Sequence, residues 1–307
     1  MVQLHANELK ISHSQVRQLI DAQFPEYQHL AVAPLGSSGS SNVLYRLGDE
    51  LLIRLPRQPG GGVSLHKEQK WTALVGKQLP VTVPTVVALG EPGFGYPEPW
   101  AVVSWLPGEH PNTPEKSGPP GSGSVATQLA ELLIAFRQLP VSEEATADPT
   151  LTGQYRGKRL TDYDQQMRLN VNACRTIKGL QLDLDSVLEQ WEQALALPET
   201  DAVEPSWFHG DLVAENLLMN NGAITALLDF GGLGIGDPAV DLHGAWELLD
   251  TTGRAELRTL MEVEEAQWQR GRAWALAIAV MTLPYYWHTM PGRVTHRLVM
   301  ARAALMG

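Results

Sequence analysis

At 307 residues the chain has the length of one large domain or two lobes, with ample material for a buried core. Hydrophobic residues make up 44% and charged residues 19%, which excludes a disordered chain. Acidic residues outnumber basic ones 34 to 23, and the formal charge of −11 argues against nucleic acid as a partner. That charge mildly favours a cationic small-molecule partner, although ordinary solubility is the plainer reading of it. The single cysteine, Cys174, allows no disulfide within the chain and fits a cytoplasmic location. MVQLHANELK at the start lacks the apolar stretch of a signal peptide. The longest apolar run, WALAIAVMTLPYYW at 274–287, is shorter than the roughly 20 residues of a membrane span and contains Pro284, so a buried helix and no membrane partner are expected.

In chain order, Val16, Leu19, Ile20 and Phe24 recur at helical spacing, with Ser14 as the expected N-cap. Three strands are expected at 30–35, 42–47 and 50–56, the last two joined at a tight Gly48-Asp49 turn. A helix over about 64–79, capped by Ser64, carries Leu65, Trp71, Leu74 and Val75 on its apolar side. Strands at 83–90 and 100–106 follow, around a loop rich in Gly and Pro. This order predicts a small antiparallel sheet of five strands with one helix across it. Residues 107–124, PGEHPNTPEKSGPPGSGS, read as a loop or linker. The remainder is mostly helical: 125–139, a helix opening on a Thr161/Asp164 capping box, another marked by Leu184, Val187, Leu188, Trp191 and Leu195, and the tail from about 240 to 306. Only WFHGDL and ITALLDF return to strand character.

The chemistry concentrates in FHGDLVAENLLMNNGAITALLDFGG, residues 208–232. NLLMNNGAITALL has the pattern of a hairpin turning at Asn220-Asn221-Gly222, which folds Asn216 back beside Asp229. An amide oxygen and a carboxylate so placed suit one hard cation such as Mg²⁺, which is usually held by one or two carboxylates plus substrate phosphates. Asp211, on the loop before the hairpin, could accept the proton of an incoming hydroxyl. Taken singly these are ordinary turn and cap residues; H-x-D-x-x-x-x-N followed at this distance by D-F-G is what marks a site.

HGDLVAENLL and LLDFGGLGIGDPAVDL resemble the aminoglycoside phosphotransferase family, antibiotic kinases related in fold to protein kinases, with macrolide phosphotransferases as near relatives. The resemblance covers nearly the whole chain. It implies an α+β, two-lobed protein-kinase-like fold: an N-terminal nucleotide-binding lobe over 1–103, a hinge at 104–108, and a mostly helical C-terminal lobe over 109–307. It makes Asp211 the catalytic base or hydroxyl-orienting residue, and Asn216 and Asp229 the Mg²⁺ ligands. His209 would shape the loop, and Asp237 and Asp241 would brace it and start a helix. The turn Gly36, Ser37, Ser38, Gly39, Ser40, Ser41 and Asn42 would let backbone N–H groups approach the phosphates of ATP or GTP. Arg54, where Lys is frequent, would meet the α- and β-phosphates, paired with Glu68. The main chain of Ser104 and Leu106 would meet the nucleotide base.

Gly210 stands where protein kinases commonly carry the Arg of H-R-D, and GLGI alone separates D-F-G from GDPAVDL, leaving no long activation segment. A small-molecule hydroxyl is therefore the expected acceptor, an aminoglycoside-like antibiotic first, then a macrolide or a metabolite such as an amino alcohol or sugar. Its candidate contacts are Arg156, Glu247, Asp250, Tyr285, Tyr286, Trp287 and His288, although each of these also has an ordinary packing or surface role. A nucleotide-binding protein without transfer activity is the alternative of another class. A monomer or homodimer is expected.

Overall fold

The computed structural model describes residues 4–36, 39–111, 124–197 and 204–307. The chain divides into two compact units, one of residues up to Lys77 with Thr82–Pro107, the other of Gln78–Val81 with Gly108–Gly307.

The first unit is built on five antiparallel strands: β1 (Val32–Pro34), β2 (Asn42–Leu47), β3 (Leu51–Pro56), β4 (Val86–Gly90) and β5 (Trp100–Ser104), in the order β1-β2-β3-β5-β4. Strand residues alternate between faces. Val43, Tyr45, Leu47, Ile53, Leu55 and Val102 share one core with Val16, Leu19 and Ile20 of the helix His13–Gln23. Leu52, Ala101 and Val103 pack with Leu65 in a second cluster. The sheet is thus covered by two helical segments where the sequence suggested one. Arg54 falls between the inward residues Ile53 and Leu55, so it points to the same side as Leu52 and meets the helical segment that begins at Ser64.

Several caps differ from expectation. Ser12, not Ser14, caps the first helix: its hydroxyl accepts the Gln15 N–H while the Gln15 side chain accepts the Ser12 N–H. The segment 64–78 is helical but not uniform: α-helix over Ser64–Lys67, π-helix over Glu68–Thr72, α-helix over Ala73–Val75 and a 3₁₀ turn over Gly76–Gln78. Ser64 is its first helical residue and its hydroxyl donates to Glu68 at 3.3 Å. The helix Leu160–Arg175 begins after Arg159, with Thr161 inside its first turn; Asp164 accepts Trp191 Nε1 at 2.8 Å and pairs with Arg168 instead of capping.

In the second unit, β6 (Ser206–Phe208) pairs with β9 (Gly234–Gly236), a strand the sequence did not suggest because its residues are GIG. Between them β7 (Leu217–Asn220) and β8 (Ala223–Leu227) form the expected hairpin. Asn221 and Gly222 both have positive φ, 50° and 80°, as a type I′ turn requires. Helices supply the rest, notably Val125–Gln138, Glu265–Tyr286 and Pro291–Met306. Pro284 lies within Glu265–Tyr286. Its missing N–H leaves the Val280 carbonyl without the ordinary helix donor, and the buried Cys174 thiol donates to that oxygen at 3.3 Å. Among the described residues no helix is long and apolar enough to cross a membrane.

Glu8 ties the start of the first unit to Arg57, whose side chain is 3% exposed. Burial pushes the Glu8 carboxyl up, but N–H donation from Leu4 and the Arg57 guanidinium outweigh it and hold the group below its ordinary value. A depressed folded pKa stabilises above the unfolded pKa, and that stability is lost as pH falls through the folded value. Thermal unfolding of Glu8→Gln is therefore expected to show a lower Tm than the parent at neutral pH. The gap should narrow as pH drops below about 4.5.

Candidate active site

The loop between β6 and β7 is set by a buried carboxylate. Asp241 accepts the backbone N–H of His209 at 2.6 Å and of Gly210 at 2.7 Å, one on each oxygen. Burial pushes the Asp241 carboxyl up, against the pull of those two N–H donors. Asp241 lies in the 3₁₀ turn Pro238–His243, which Asp237 opens by accepting the Ala239 N–H at 2.9 Å while pairing with Arg270 at 2.7 Å. Both aspartates thus have the bracing and capping places expected of them.

His209 is fully buried. Its Nε2 donates to the Leu228 carbonyl at 3.0 Å, which leaves Nδ1 to accept the Asp211 N–H at 3.3 Å. Its ring also meets Phe230 edge-on at 5.0 Å. Gly210 adopts φ +81°, and a Cβ there would lie 2.7 Å from the Gly232 carbonyl oxygen. An arginine at position 210 would have to displace that backbone and hold a strained φ.

The hairpin register brings the motif residues together. The Leu228 N–H donates to the Asn216 carbonyl at 2.8 Å, so Asn216 stands beside the residue that precedes Asp229. Asn216 Nδ2 donates to the Asp211 carbonyl at 2.8 Å and to Asp211 Oδ2 at 3.1 Å, which fixes the amide and leaves Oδ1 as its acceptor. Asp229 adopts a left-handed conformation, φ 58° and ψ 75°, and its carboxylate accepts the Gly231 N–H at 3.4 Å. A non-glycine residue held there is a local strain of the kind found at binding sites.

Arg156, expected at the acceptor, lies on Asp211. Its Nη1 is 2.5 Å from Asp211 Oδ1 and 2.5 Å from the Gly210 carbonyl, and its Nε donates to Tyr155 Oη at 2.8 Å. Burial would raise the Asp211 pKa, but Arg156, with Arg297 beyond it, holds the carboxyl well below the ordinary range. Burial pushes the His243 imidazole down to about 3, so it is neutral at physiological pH.

A second support comes from the last helix. Glu215, next to Asn216, pairs with Arg293 and, at 2.8 Å, with Arg297. Arg297 also meets Glu247 at 2.5 Å, and the other Glu247 oxygen accepts the Ala214 N–H at 3.2 Å. Glu247 is 0% exposed, so it is neither the solvated helix residue nor the acceptor ligand the sequence allowed. Asp250 is occupied as well: it caps Thr251–Leu260 by accepting the Gly253 N–H at 2.9 Å. Tyr285 is 51% exposed, His288 is exposed, Trp287 is half-buried, and Tyr286 lies beneath the Arg293 guanidinium at 5.0 Å. Glu215, Arg293 and Arg297 were missed by sequence reasoning. The four-residue spacing of the two arginines puts them on one helix face, but nothing local shows that this face meets the loop.

In the first unit, Arg54 pairs with Glu68 at 2.7 Å, with side-chain exposures of 12% and 5%. Gly36, Gly39, Ser40, Ser41 and Asn42 lie on the connection from β1 to β2, Asn42 being the first residue of β2; Ser37 and Ser38 lie outside the described residues. The Ser104 N–H bonds to the Thr85 carbonyl at 2.9 Å, whereas the Leu106 main chain takes no partner among the described residues.

The model of the phosphotransferase enzyme family matches residues 32–275. The chain belongs to this family and is a kinase-type phosphotransferase. No curated protein sequence matches it. Among solved structures, the GDP complex of a wild-type aminoglycoside 2′-phosphotransferase-IIIa is 19% identical, with a TM-score of 0.67, covering 96% of this chain and 99% of that one. A streptomycin–ATP ternary complex of APH(2″)-IIa is 14% identical, with a TM-score of 0.61 and coverage of 89% and 91%. The apoenzyme of a macrolide 2′-phosphotransferase from Brachybacterium faecium is 17% identical, with a TM-score of 0.60 and coverage of 95% and 97%. At these identities the likeness establishes the kinase-like fold.

Removing Arg297 leaves the buried Glu247 carboxylate unpaired. Arg297→Met is expected to destabilise the protein by about 3–5 kcal/mol. The double variant Glu247→Gln/Arg297→Met should recover much of that loss in denaturant unfolding.

Proposed function

We propose that this phosphotransferase moves the γ-phosphoryl group of ATP or GTP to a hydroxyl of a small molecule, with Asp211 orienting the nucleophile. The observation that carries the reading is the geometry at Asp211. Its carboxylate is kept ionised by Arg156, fixed by the Asn216 amide, and still partly open to solvent, with a side-chain exposure of 30%. An ionised, oriented carboxylate can accept a hydroxyl hydrogen bond and then its proton as the phosphoryl group transfers.

Asn216 Oδ1 and the Asp229 carboxylate are the oxygen donors that would hold Mg²⁺, a set that fits a cation whose remaining ligands are phosphate oxygens and water. The ion would neutralise charge on the phosphates when bound. Arg54, oriented by Glu68, would bind phosphate oxygens in the place where lysine is frequent; its two-pronged guanidinium suits that task. The main chain of Leu106, which takes no partner among the described residues, can serve the nucleotide base, while the Ser104 N–H is already bonded.

The aminoglycoside-bound neighbours support an aminoglycoside-like acceptor. A second reading, a macrolide-like acceptor with a large apolar face, is favoured by the state of the candidate acceptor contacts themselves. Glu247 and Asp250 are committed to internal contacts, whereas Tyr285 is open to solvent and an arginine covers Tyr286. Carboxylates suit a polyamine; exposed aromatic rings suit an apolar or sugar face.

Nucleoside diphosphate release from ATP and GTP across aminoglycosides, macrolides and small amino alcohols tests both readings. Turnover with one class is expected, with kcat falling by about 10²–10⁴-fold in Asp211→Asn while nucleotide affinity stays close to that of the parent. Nucleotide binding without turnover on any acceptor would instead support a silent nucleotide-binding protein.

A further inference from the structure

The N-terminal segment and Arg57, just after β3, together grip the loop that precedes β2 through its carbonyl groups. His5 Nε2 donates to the Ser40 carbonyl at 2.6 Å. Arg57 Nε donates to the carbonyls of Gly39 and Asn42, both at 3.2 Å, and the Arg57 backbone N–H donates to the Ser41 carbonyl at 2.9 Å. The four successive carbonyls from Gly39 to Asn42 are therefore all engaged. His5 and Arg57 are themselves buried, 5% and 3% exposed. Glu8 fixes Arg57 by an ion pair and accepts the Leu4 N–H at 2.6 Å, closing the segment on itself.

The ladder explains what this grip leaves over. The register of β2 with β3, Asn42 opposite Pro56 and Val43 opposite Leu55, places Ser41 opposite Arg57. In a hydrogen-bonded antiparallel pair both residues exchange N–H and C=O. Here Arg57 gives its N–H to Ser41, but its carbonyl accepts the Leu9 N–H, at 2.6 Å, and not that of Ser41. Leu9 has displaced one half of the exchange. The Ser41 N–H consequently has no partner among the described residues, and neither has that of Ser40. In a trans peptide the N–H points opposite to the carbonyl of the preceding residue. Anchoring the Ser40 carbonyl on His5 and the Gly39 carbonyl on Arg57 turns the N–H groups of Ser41 and Ser40 away from those two side chains. Two adjacent backbone donors without partners form an anion-binding feature.

We propose that His5 and Arg57 are positioning residues for the nucleotide: they hold the loop carbonyls while Leu9 occupies the Arg57 carbonyl, so that the Ser40 and Ser41 N–H groups are preset as donors to a phosphate oxygen. This rests on the reading of the chain as a nucleotide-dependent phosphotransferase and adds a segment, Leu4–Leu9, that lies before the part matched by the family model. Neither side chain has to touch the phosphate. Arg57 acts through the two carbonyls it binds, and His5 through one.

Calorimetric titration of the full-length protein with ATP, GTP, adenosine and guanosine tests this without any acceptor. For His5→Ala and Arg57→Met, triphosphate affinity is expected to fall by about tenfold, the worth of one or two lost hydrogen bonds to a charged group. Nucleoside affinity should stay within about twofold of the parent. His5→Ala separates geometry from charge, since it removes a donor to a carbonyl without removing an arginine. Arg57→Lys keeps the charge and should still lose affinity, because an ammonium does not reproduce the guanidinium fork. Should Arg57→Met fail to fold, the His5→Ala and Arg57→Lys titrations decide. Parental triphosphate affinity in those variants overturns the proposal, as does an equal loss for triphosphate and nucleoside, which marks a role in folding alone. A parent protein that binds no nucleotide would instead overturn the functional reading beneath it.

Discussion

The second unit depends on one buried carboxylate and the two backbone N–H groups it accepts. Asp241 has both oxygens committed to His209 and Gly210. Those bonds offset the cost of burying an acid and fix the path of the chain into Asp211. From that fixed point the geometry propagates outward. His209 carries the loop across to Leu228, and the hairpin register then sets Asn216 beside the approach to Asp229. Without the Asp241 anchor, a loop containing a left-handed Gly210 would have little to choose one conformation over another.

Charge is distributed around this loop in pairs. Arg156 faces Asp211, Arg293 and Arg297 face Glu215, and Arg297 also faces Glu247. Asp211, Glu215 and Glu247 each have a guanidinium partner, and the arginines come from elements remote in sequence, a short turn before the helix Leu160–Arg175 and the last helix. Buried ion pairs of this kind are weak evidence for stability, since removing both partners is often neutral. What they do fix is orientation, because a planar guanidinium binds a carboxylate only over a narrow range of angles. The same principle operates at the other unit, where Glu68 orients Arg54 and Glu8 orients Arg57.

Features governed by local periodicity were legible in the sequence. The alternation in NVLYRL and LLIRLP gave two strands, and Asn221-Gly222 gave the hairpin turn, because period and turn chemistry act over a few residues. The motif residues Asp211, Asn216 and Asp229 were legible as a candidate constellation for the same reason, their juxtaposition following from one hairpin. Caps were less legible: Ser12 and Ser14 are both plausible on chemistry, and the choice fell to the one whose hydroxyl and backbone could exchange bonds with Gln15. The π-helical turn at Glu68–Thr72 left no mark in the hydrophobic pattern.

The sequence by itself determined the class of the protein: a strand-rich first part, a helical second part, and an acid–amide–acid motif on a hairpin, all specified by short-range spacing. Only the tertiary structure decided which arginine meets which acid. Arg156 went to Asp211, Glu247 to a buried pair, and Asp250 to a helix cap. It also decided that Leu9 would take the Arg57 carbonyl from Ser41. The reason is physical. Spacing along a chain fixes the face on which a side chain stands, but a hydrogen bond or ion pair across a long loop depends on how separate elements pack. That packing is a property of the whole core, with no local signature in the residues that finally touch.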